Sequence, residues 1–267
     1  GFYLPEIFHT DDEIKIEASF KEIGNHDAEW SLIKDGKEVE LSDFVNGSLN
    51  NGGGNVTFPH KGEYTLKVSF TDDGGRIYGY EQGFKVYPVP YVAYTLSKYA
   101  HTDSNVNIEV NSTELDGLEI EWFVDNTYGF QDWVTYVDGN LNNSGGSIRF
   151  KRAGVYELVA RITDDTGRIF LFESGDKIEV LPVLDIGFEL PKTAYTDSII
   201  NIRTYGNNNV LPVEWSITKD GKIISEDQAI SGILNAQGGK ITFLTEGDYT
   251  LTARMTDFLE RNFSYSQ

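Results

Sequence analysis

Gly62-Glu63-Tyr64-Thr65-Leu66-Lys67-Val68-Ser69-Phe70-Thr71-Asp72-Asp73-Gly74-Gly75-Arg76 is the stretch that decides the fold. Tyr64, Leu66, Val68 and Phe70 alternate with Thr65, Lys67 and Ser69, the two-residue period of a strand with one buried face. The pattern returns twice. Gly154-Val155-Tyr156 and Gly247-Asp248-Tyr249 open equivalent strands, which close with Thr163-Asp164 and Thr256-Asp257. Arg168 and Arg261 then stand where Arg76 stands, each beginning a last strand.

Upstream of each strand the recurrence continues. Gly53-Gly54-Asn55-Val56-Thr57-Phe58 matches Gly145-Gly146-Ser147-Ile148-Arg149-Phe150 and Gly238-Gly239-Lys240-Ile241-Thr242-Phe243. Gly47-Ser48-Leu49-Asn50 returns as Gly139-Asn140-Leu141-Asn142 and Gly232-Ile233-Leu234-Asn235. Glu29-Trp30 returns as Glu121-Trp122 and Glu214-Trp215, and His9-Thr10-Asp11 as His101-Thr102-Asp103 and Tyr195-Thr196-Asp197, at offsets of 92 and 94. So many landmarks in one order, three times over, are copies of one unit.

Within a copy, Ile14, Ile16, Ala18 and Phe20 alternate with polar residues, and Lys34-Asp35-Gly36-Lys37 and Lys219-Asp220-Gly221-Lys222 read as two-residue hairpin turns. No segment longer than a few turns shows a helical period with caps. The expected fold is all-β: three tandem immunoglobulin-like sandwiches over 1–90, 91–183 and 184–267, joined at Tyr87-Pro88-Val89-Pro90 and Leu181-Pro182-Val183. With no Gly/Ser-rich spacer at the joints, the modules are expected to form an elongated rod on the order of 100 Å long. The third copy stops before a segment matching Phe84-Lys85-Val86-Tyr87-Pro88 and is expected to be the least stable.

Composition agrees. Of 267 residues, 13% are aromatic and 27 are Gly, with one Met, which suits pleated surfaces and tight turns. The net charge of −20 is spread along the chain: 8 basic and 16 acidic residues in 1–90, 7 and 15 in 91–183, 7 and 11 in 184–267. Such a surface repels phosphate backbones and anionic lipid, so neither nucleic acid binding nor membrane insertion is expected, and self-repulsion favours a monomer. With no Cys there is no disulfide, thiolate nucleophile or Cys-ligated metal.

The run Glu29-Trp30-Ser31-Leu32-Ile33-Lys34-Asp35-Gly36 resembles the tryptophan–Gly-Asp-Gly region of PKD-type immunoglobulin-like modules. The runs from Gly62 to Arg76 and from Gly154 to Arg168 are similar to the Gly-Thr-Tyr-Thr strand signature of the same modules. The chain departs from that pattern in its His-Thr-Asp element and in the longer Gly-Gly stretch. A PKD-like or bacterial immunoglobulin-like variant implies a repeated spacer or binding module of bacterial cell-surface proteins and secreted enzymes. The expectation is a non-enzymatic extracellular stalk or adhesin segment. The alternatives are a carbohydrate- or protein-binding module and an accessory region of a secreted polysaccharide-degrading enzyme.

Residues shared by all copies are read first as structural. Trp30, Trp122 and Trp215 are expected in the cores. Tyr64, Tyr156 and Tyr249 are expected to tie a loop through their hydroxyls. Asp11, Asp103, Asp197, Asp72, Asp164 and Asp257 are expected to accept backbone N–H groups in Asx-type turns. The four His (His9, His26, His60, His101) show no metal-ligand spacing, and since Tyr195 replaces His in copy three, that position reads as packing or capping. No catalytic residue and no required cofactor are expected. Asp11, Asp12, Asp72, Asp73, Asp164 and Asp165 are calcium candidates by clustering, without an Asp-x-Asp-x-Asp-Gly loop. Copy two alone replaces the Lys-Asp-Gly-Lys turn with Asp125 to Trp133. There Tyr128, Phe130 and Trp133, flanked by Asn126 and Gln131, have the composition of a loop that contacts a glycan or a host or cell-surface protein.

Overall fold

A computed structural model describes residues 1–20, 26–126, 129–206 and 211–267. The chain divides into two compact units: residues 1–100 with 105–179, and residues 101–104 with 180–267.

The first unit holds two sandwiches. In the first, one sheet has the spatial order Phe2–Tyr3, Ile14–Ala18, Gly53–Thr57, Asn46–Gly47. The facing sheet runs Ile7–His9, Ile77–Tyr87, Gly62–Thr71, Glu29–Lys34, Lys37–Val39. Every described pairing in it is antiparallel except Ile7–His9, which lies parallel to the end of Ile77–Tyr87. The second sandwich repeats the plan, with Tyr91–Tyr94, Val106–Thr113, Gly145–Phe150 and Val137–Asp138 forming its first sheet. Gly154–Thr163 pairs with Glu121–Asn126 on one side and Ile169–Glu173 on the other.

In the second unit, Ile186–Phe188, Ile200–Gly206, Gly238–Phe243 and Ile230–Asn235 form one sheet. Lys222–Ile224, Glu214–Lys219, Tyr249–Thr256 and Asn262–Ser266 form the other.

The alternation decides what is buried. Leu32, Phe58, Leu66, Val56 and Val86 are at or near zero exposure in the first core, and Ile217, Leu251, Ala253 and Ile241 in the third. Each of these side chains larger than Ala253 contributes roughly 1.5–3 kcal/mol by leaving water. Asp35 and Gly36, and likewise Asp220 and Gly221, have positive φ, as a two-residue turn matched to strand twist requires. The three loop-tying tyrosines are found as expected: the hydroxyls of Tyr64, Tyr156 and Tyr249 donate to the carbonyls of His60, Arg152 and Thr245 at 2.7, 3.0 and 3.0 Å. Burial pushes the Tyr64 phenol up to about 12.

The tryptophans depart from expectation. Trp122 is buried, but Trp30 and Trp215 are only half-buried. Their indole N–H groups donate to the carbonyls of Asn50 and Asn235 at 3.1 and 3.0 Å. An indole needs an acceptor when it leaves water, and here the Gly-x-Leu-Asn loop at the edge of the core supplies it, drawing the ring toward the rim.

The doubled glycine has a geometric cause. Gly53, Gly145 and Gly238 all have φ near +95°. A Cβ on any of them would run into the carbonyl oxygen of Ile16, Ile108 or Ile202 on the neighbouring strand. A Cβ on Gly54 or Gly239 would strike the carbonyl of Ser48 or Ile233. Substituting Gly53→Ala should therefore lower stability by well over about 1 kcal/mol. Gly75→Ala, at φ +79° but in open space, should cost clearly less. Urea midpoints of the two variants decide the point; equal shifts would contradict the steric account.

Candidate functional site

The residues that do most beyond closing a core are the ones whose role was least visible in the sequence. His9 ends the parallel strand Ile7–His9 and is 5% exposed. Its Nε2 lies 2.5 Å from Oδ2 of Asp164, a residue of the next repeat. Asp164 is held for that contact. Its Oδ1 accepts the N–H groups of Thr166 and Arg168, both at 2.9 Å, and the Thr166 hydroxyl at 2.6 Å. His9 is held too: its backbone N–H donates to Asp12 Oδ2 at 2.7 Å, and its ring packs edge-on against Phe170.

A second tie runs beside the first. The Arg168 guanidinium grips both oxygens of Asp11, at 3.0 and 2.8 Å, reaches Asp12 at 3.3 Å and lies over the Phe170 ring. A third is Lys61, whose Nζ meets Glu114 and Asp116, each at 2.5 Å.

The arrangement recurs in the second unit, to which residues 101–104 belong. His101, 6% exposed, places Nε2 at 2.6 Å from Oδ2 of Asp257. Oδ1 of Asp257 accepts the N–H groups of Leu259 and Arg261 at 2.9 Å each. Arg261 grips Asp103 with both terminal nitrogens at 2.6 and 2.5 Å and lies over Phe263. Two latches of one design are thus built from two motifs a repeat apart: a His-Thr-Asp turn and the Thr-Asp hairpin that ends in Arg.

The electrostatics follow from this geometry. Burial raises the Asp164 carboxyl, but bonds from Thr166, His9 and the Arg168 backbone outweigh it and hold it below the ordinary carboxylate range. Asp257 behaves alike, burial being outweighed by the Arg261 N–H and His101. For Asp103 the Arg261 hydrogen bond is the leading cause of lowering; for Asp11 it is the Arg168 bond and charge, against burial. In His9 the other ring nitrogen, Nδ1, faces a further carboxylate oxygen, Asp12 Oδ2, at 3.6 Å. An imidazole set between two carboxylates is arranged to hold them, and its nitrogens do not point at a nucleophile.

Two expectations are corrected here. The His position is neither simple packing nor a cap; it is a buried donor to the next repeat. Asp11 and Asp103 are partners of arginine, whereas Asp72, Asp164 and Asp257 do accept backbone N–H groups as expected. One signal in the sequence could have found the latch. His stands at this position in the first two copies, and Tyr195, 81% exposed, stands in the third.

Among the calcium candidates, Asp11, Asp12 and Asp164 are engaged by Arg168 and His9. Asp72 uses Oδ1 for the N–H groups of Gly74 and Arg76, and Asp73 lies 3.3 Å from His26. Asp165 is exposed. Among the described residues no cluster of three or more His, Cys, Asp or Glu is placed to hold a metal ion.

In the second repeat, Glu121–Asn126 pairs antiparallel with Gly129–Gln131 in the register Val124 with Gln131, Asp125 with Phe130 and Asn126 with Gly129. Tyr128 lies outside the described residues. Gln131 donates to the Gly129 carbonyl at 2.8 Å. Trp133 opens the helical turn Trp133–Tyr136, in the place taken by Leu41–Phe44 and Glu226–Ala229 in the other repeats, and its indole N–H donates to Gly139 at 3.0 Å.

No protein-family model and no curated protein matches the chain. Solved structures of tandem immunoglobulin domains are similar in fold. A three-domain I-band fragment of titin aligns with a TM-score of 0.57 at 11% identity, covering 100% of this chain and 96% of the titin chain. A Glu-to-Ala variant of three titin immunoglobulin domains gives 0.55 at 11% identity, with the same coverage. The eight N-terminal immunoglobulin domains of Down syndrome cell adhesion molecule give 0.43 at 16% identity, covering 100% of this chain and 35% of that one. The titin likeness is one of fold: consecutive immunoglobulin-like sandwiches along one chain.

Replacing Asp164 with Asn should cost about 2 kcal/mol near neutral pH, since a charge-assisted bond is lost and an amide N–H₂ can be turned on His9. The carboxyl titrates lower folded than unfolded. Its stabilisation is therefore complete above the unfolded value of about 4 and is lost as pH falls through the lower folded value. Denaturant midpoints measured from pH 7 down to pH 2 should show wild type and Asp164→Asn converging only at the acid end.

Proposed function

We propose that this chain is a non-catalytic segment of an extracellular bacterial surface protein, a stalk or adhesin region in which the first two sandwiches are tied together by direct side-chain bonds. The observation that carries the reading is the repeated latch, the same buried His–Asp bond and bidentate Asp–Arg pair written twice along the chain. A spacer needs joints that resist bending, and the first two sandwiches, joined by the His9–Asp164 bond, the Asp11–Arg168 pair and Lys61, are held better than by a bare linker. The dispersed acidic charge suits a chain that must stay apart from its neighbours. The resemblance to PKD-like repeats supports the same reading. Among the described residues no helix is long and apolar enough to cross a membrane.

A second reading concerns the tip of the second repeat. Trp133 is half-buried and Val134 beside it is 70% exposed. By composition, the segment with Asn126, Tyr128, Phe130, Gln131 and Trp133 is a candidate contact for a glycan or a partner protein. Glycan-array binding that disappears in Trp133→Ala would establish it, and an array with no binding would remove it.

The stalk reading is tested on the first unit. Backbone ¹⁵N relaxation should give one rotational correlation time for residues 1–90 and 105–179 in the wild type, and two shorter, separate ones in the double variant Asp164→Ala/Arg168→Ala. Independent tumbling already in the wild type would overturn it.

A further inference from the structure

We infer that the outward face of the second sandwich, on the strands Glu121–Asn126, Gly154–Thr163 and Ile169–Glu173, docks a cationic segment of another protein that presents apolar side chains among lysines or arginines. The three repeats differ at this face. Trp122 and Val124 are buried in the core, so Phe123 between them points outward, as does Val159 between Leu158 and Ala160. Phe123 stands opposite Val159, Arg161 opposite Leu171 and Thr163 opposite Ile169, so the four apolar residues share one side of the sheet. In the same register the first repeat has Ser31, Lys67, Gly79 and Ile77, and the third has Ser216, Thr252, Ser264 and Asn262.

The sandwich core does not account for the difference. Val159 is 1% exposed and Phe123 is half-buried, but Leu171 and Ile169 remain 54% and 57% exposed. A face that meets only water gains nothing from Phe, Val and Leu at positions where both other repeats carry Ser, Lys, Thr or Gly. Apolar residues gathered on one exposed face, with charged residues around them, mark a surface that a partner covers.

The charges around it define that partner. These strands carry the carboxylates of Glu121, Asp125, Glu157 and Glu173 against a single basic residue, Arg161, which pairs with Glu121. Asp125 stands directly opposite Glu157, and like charges facing across a ladder repel. Lys177 lines a small cleft of about 80 Å³ with these two carboxylates, yet Asp125 Oδ1 is buried without a hydrogen-bond partner. The face is short of positive charge.

Arg161 shows the chemistry that supplies it. Its guanidinium lies 4.6 Å from the centre of the Phe123 ring while its Nε donates to Glu121 at 2.7 Å. A partner's lysine or arginine can add to this arrangement, resting on apolar surface and meeting a carboxylate. A second copy of this chain, with a net charge of −20, would set carboxylate against carboxylate. A basic segment instead relieves the repulsion between Asp125 and Glu157 as its apolar side chains cover Leu171 and Ile169.

The test uses the whole chain and a synthetic amphipathic peptide of leucine and lysine, beside a serine–lysine peptide of equal charge, in salt high enough to screen exposed charges. Saturable binding of the leucine–lysine peptide is expected, with amide shifts confined to residues 121–125, 157–163 and 169–173, and the serine–lysine peptide should bind at least about tenfold more weakly. The double variant Leu171→Ser/Ile169→Asn gives the second repeat the residues of the third. There Asn262 Oδ1 accepts from Arg254 and Thr256 at 3.0 and 2.8 Å, and Arg161 and Thr163 hold the matching places, so the urea midpoint should stay unchanged while affinity falls about tenfold. Leu171→Ser alone, at a side chain more than half exposed, gives the same reading if the double variant is destabilised. Four outcomes each overturn the proposal: no saturable binding, equal binding of the serine–lysine peptide, shifts located elsewhere or spread over all three repeats, or unchanged affinity in a folded variant.

Discussion

A buried hydrogen bond between an imidazole and a carboxylate, made between the first two repeats, is the contact on which the packing of the first unit depends. Taking a carboxylate out of water is costly unless its lone pairs are satisfied. Asp164 meets that condition in full, with backbone N–H groups and a hydroxyl on one oxygen and His9 on the other. Breaking one side of such a bond leaves a desolvated charge behind, so the contact is hard to open halfway. The Asp11–Arg168 pair alongside is about one-third to one-half exposed, and pairs of that kind contribute at most about 1 kcal/mol. Its value is directional: two parallel bonds from a planar guanidinium fix the orientation in which the histidine meets its acceptor. Burial supplies the strength, and the exposed arginine supplies the register.

The distribution of the few basic residues fits this division. In a chain with 22 basic and 42 acidic residues, Lys61, Arg168 and Arg261 each pair with a carboxylate of a neighbouring repeat. The two hairpin arginines also stack on an aromatic ring two residues further along the chain, Phe170 and Phe263, which keeps the guanidinium planes fixed without further charge. Other basic residues, such as Lys15, Lys67, Arg149 and Arg161, pair with carboxylates of their own repeat.

Much of the fold was legible because strand periodicity and turn chemistry are local. Tyr64 to Phe70 declares a half-buried strand, Lys34-Asp35-Gly36-Lys37 declares a hairpin, and the threefold recurrence gives the number of sandwiches. The purpose of the doubled glycines was legible only as a turn or bulge; that Gly53 must clear the carbonyl of Ile16 depends on a strand pairing no local reading contains. The half-burial of Trp30 and Trp215 was hidden for a similar reason, since it is set by where the Asn50 and Asn235 carbonyls lie. The latch was the least visible feature. Its two halves are 155 residues apart in the chain, and each half taken alone looks like an ordinary turn. Comparing copies position by position shows His in two of them and Tyr in the third, but not that the partner of His9 is an aspartate one repeat onward.

The account stands or falls on whether His9 and Asp164 are energetically coupled, and a double-mutant cycle measures that directly. Urea unfolding of the wild type, His9→Ala, Asp164→Ala and the double variant should give a coupling energy of at least about 1 kcal/mol, with the second substitution costing little once the first has been made. Costs that add to within about 0.3–0.5 kcal/mol would contradict it, showing two side chains that are near each other without holding the repeats together.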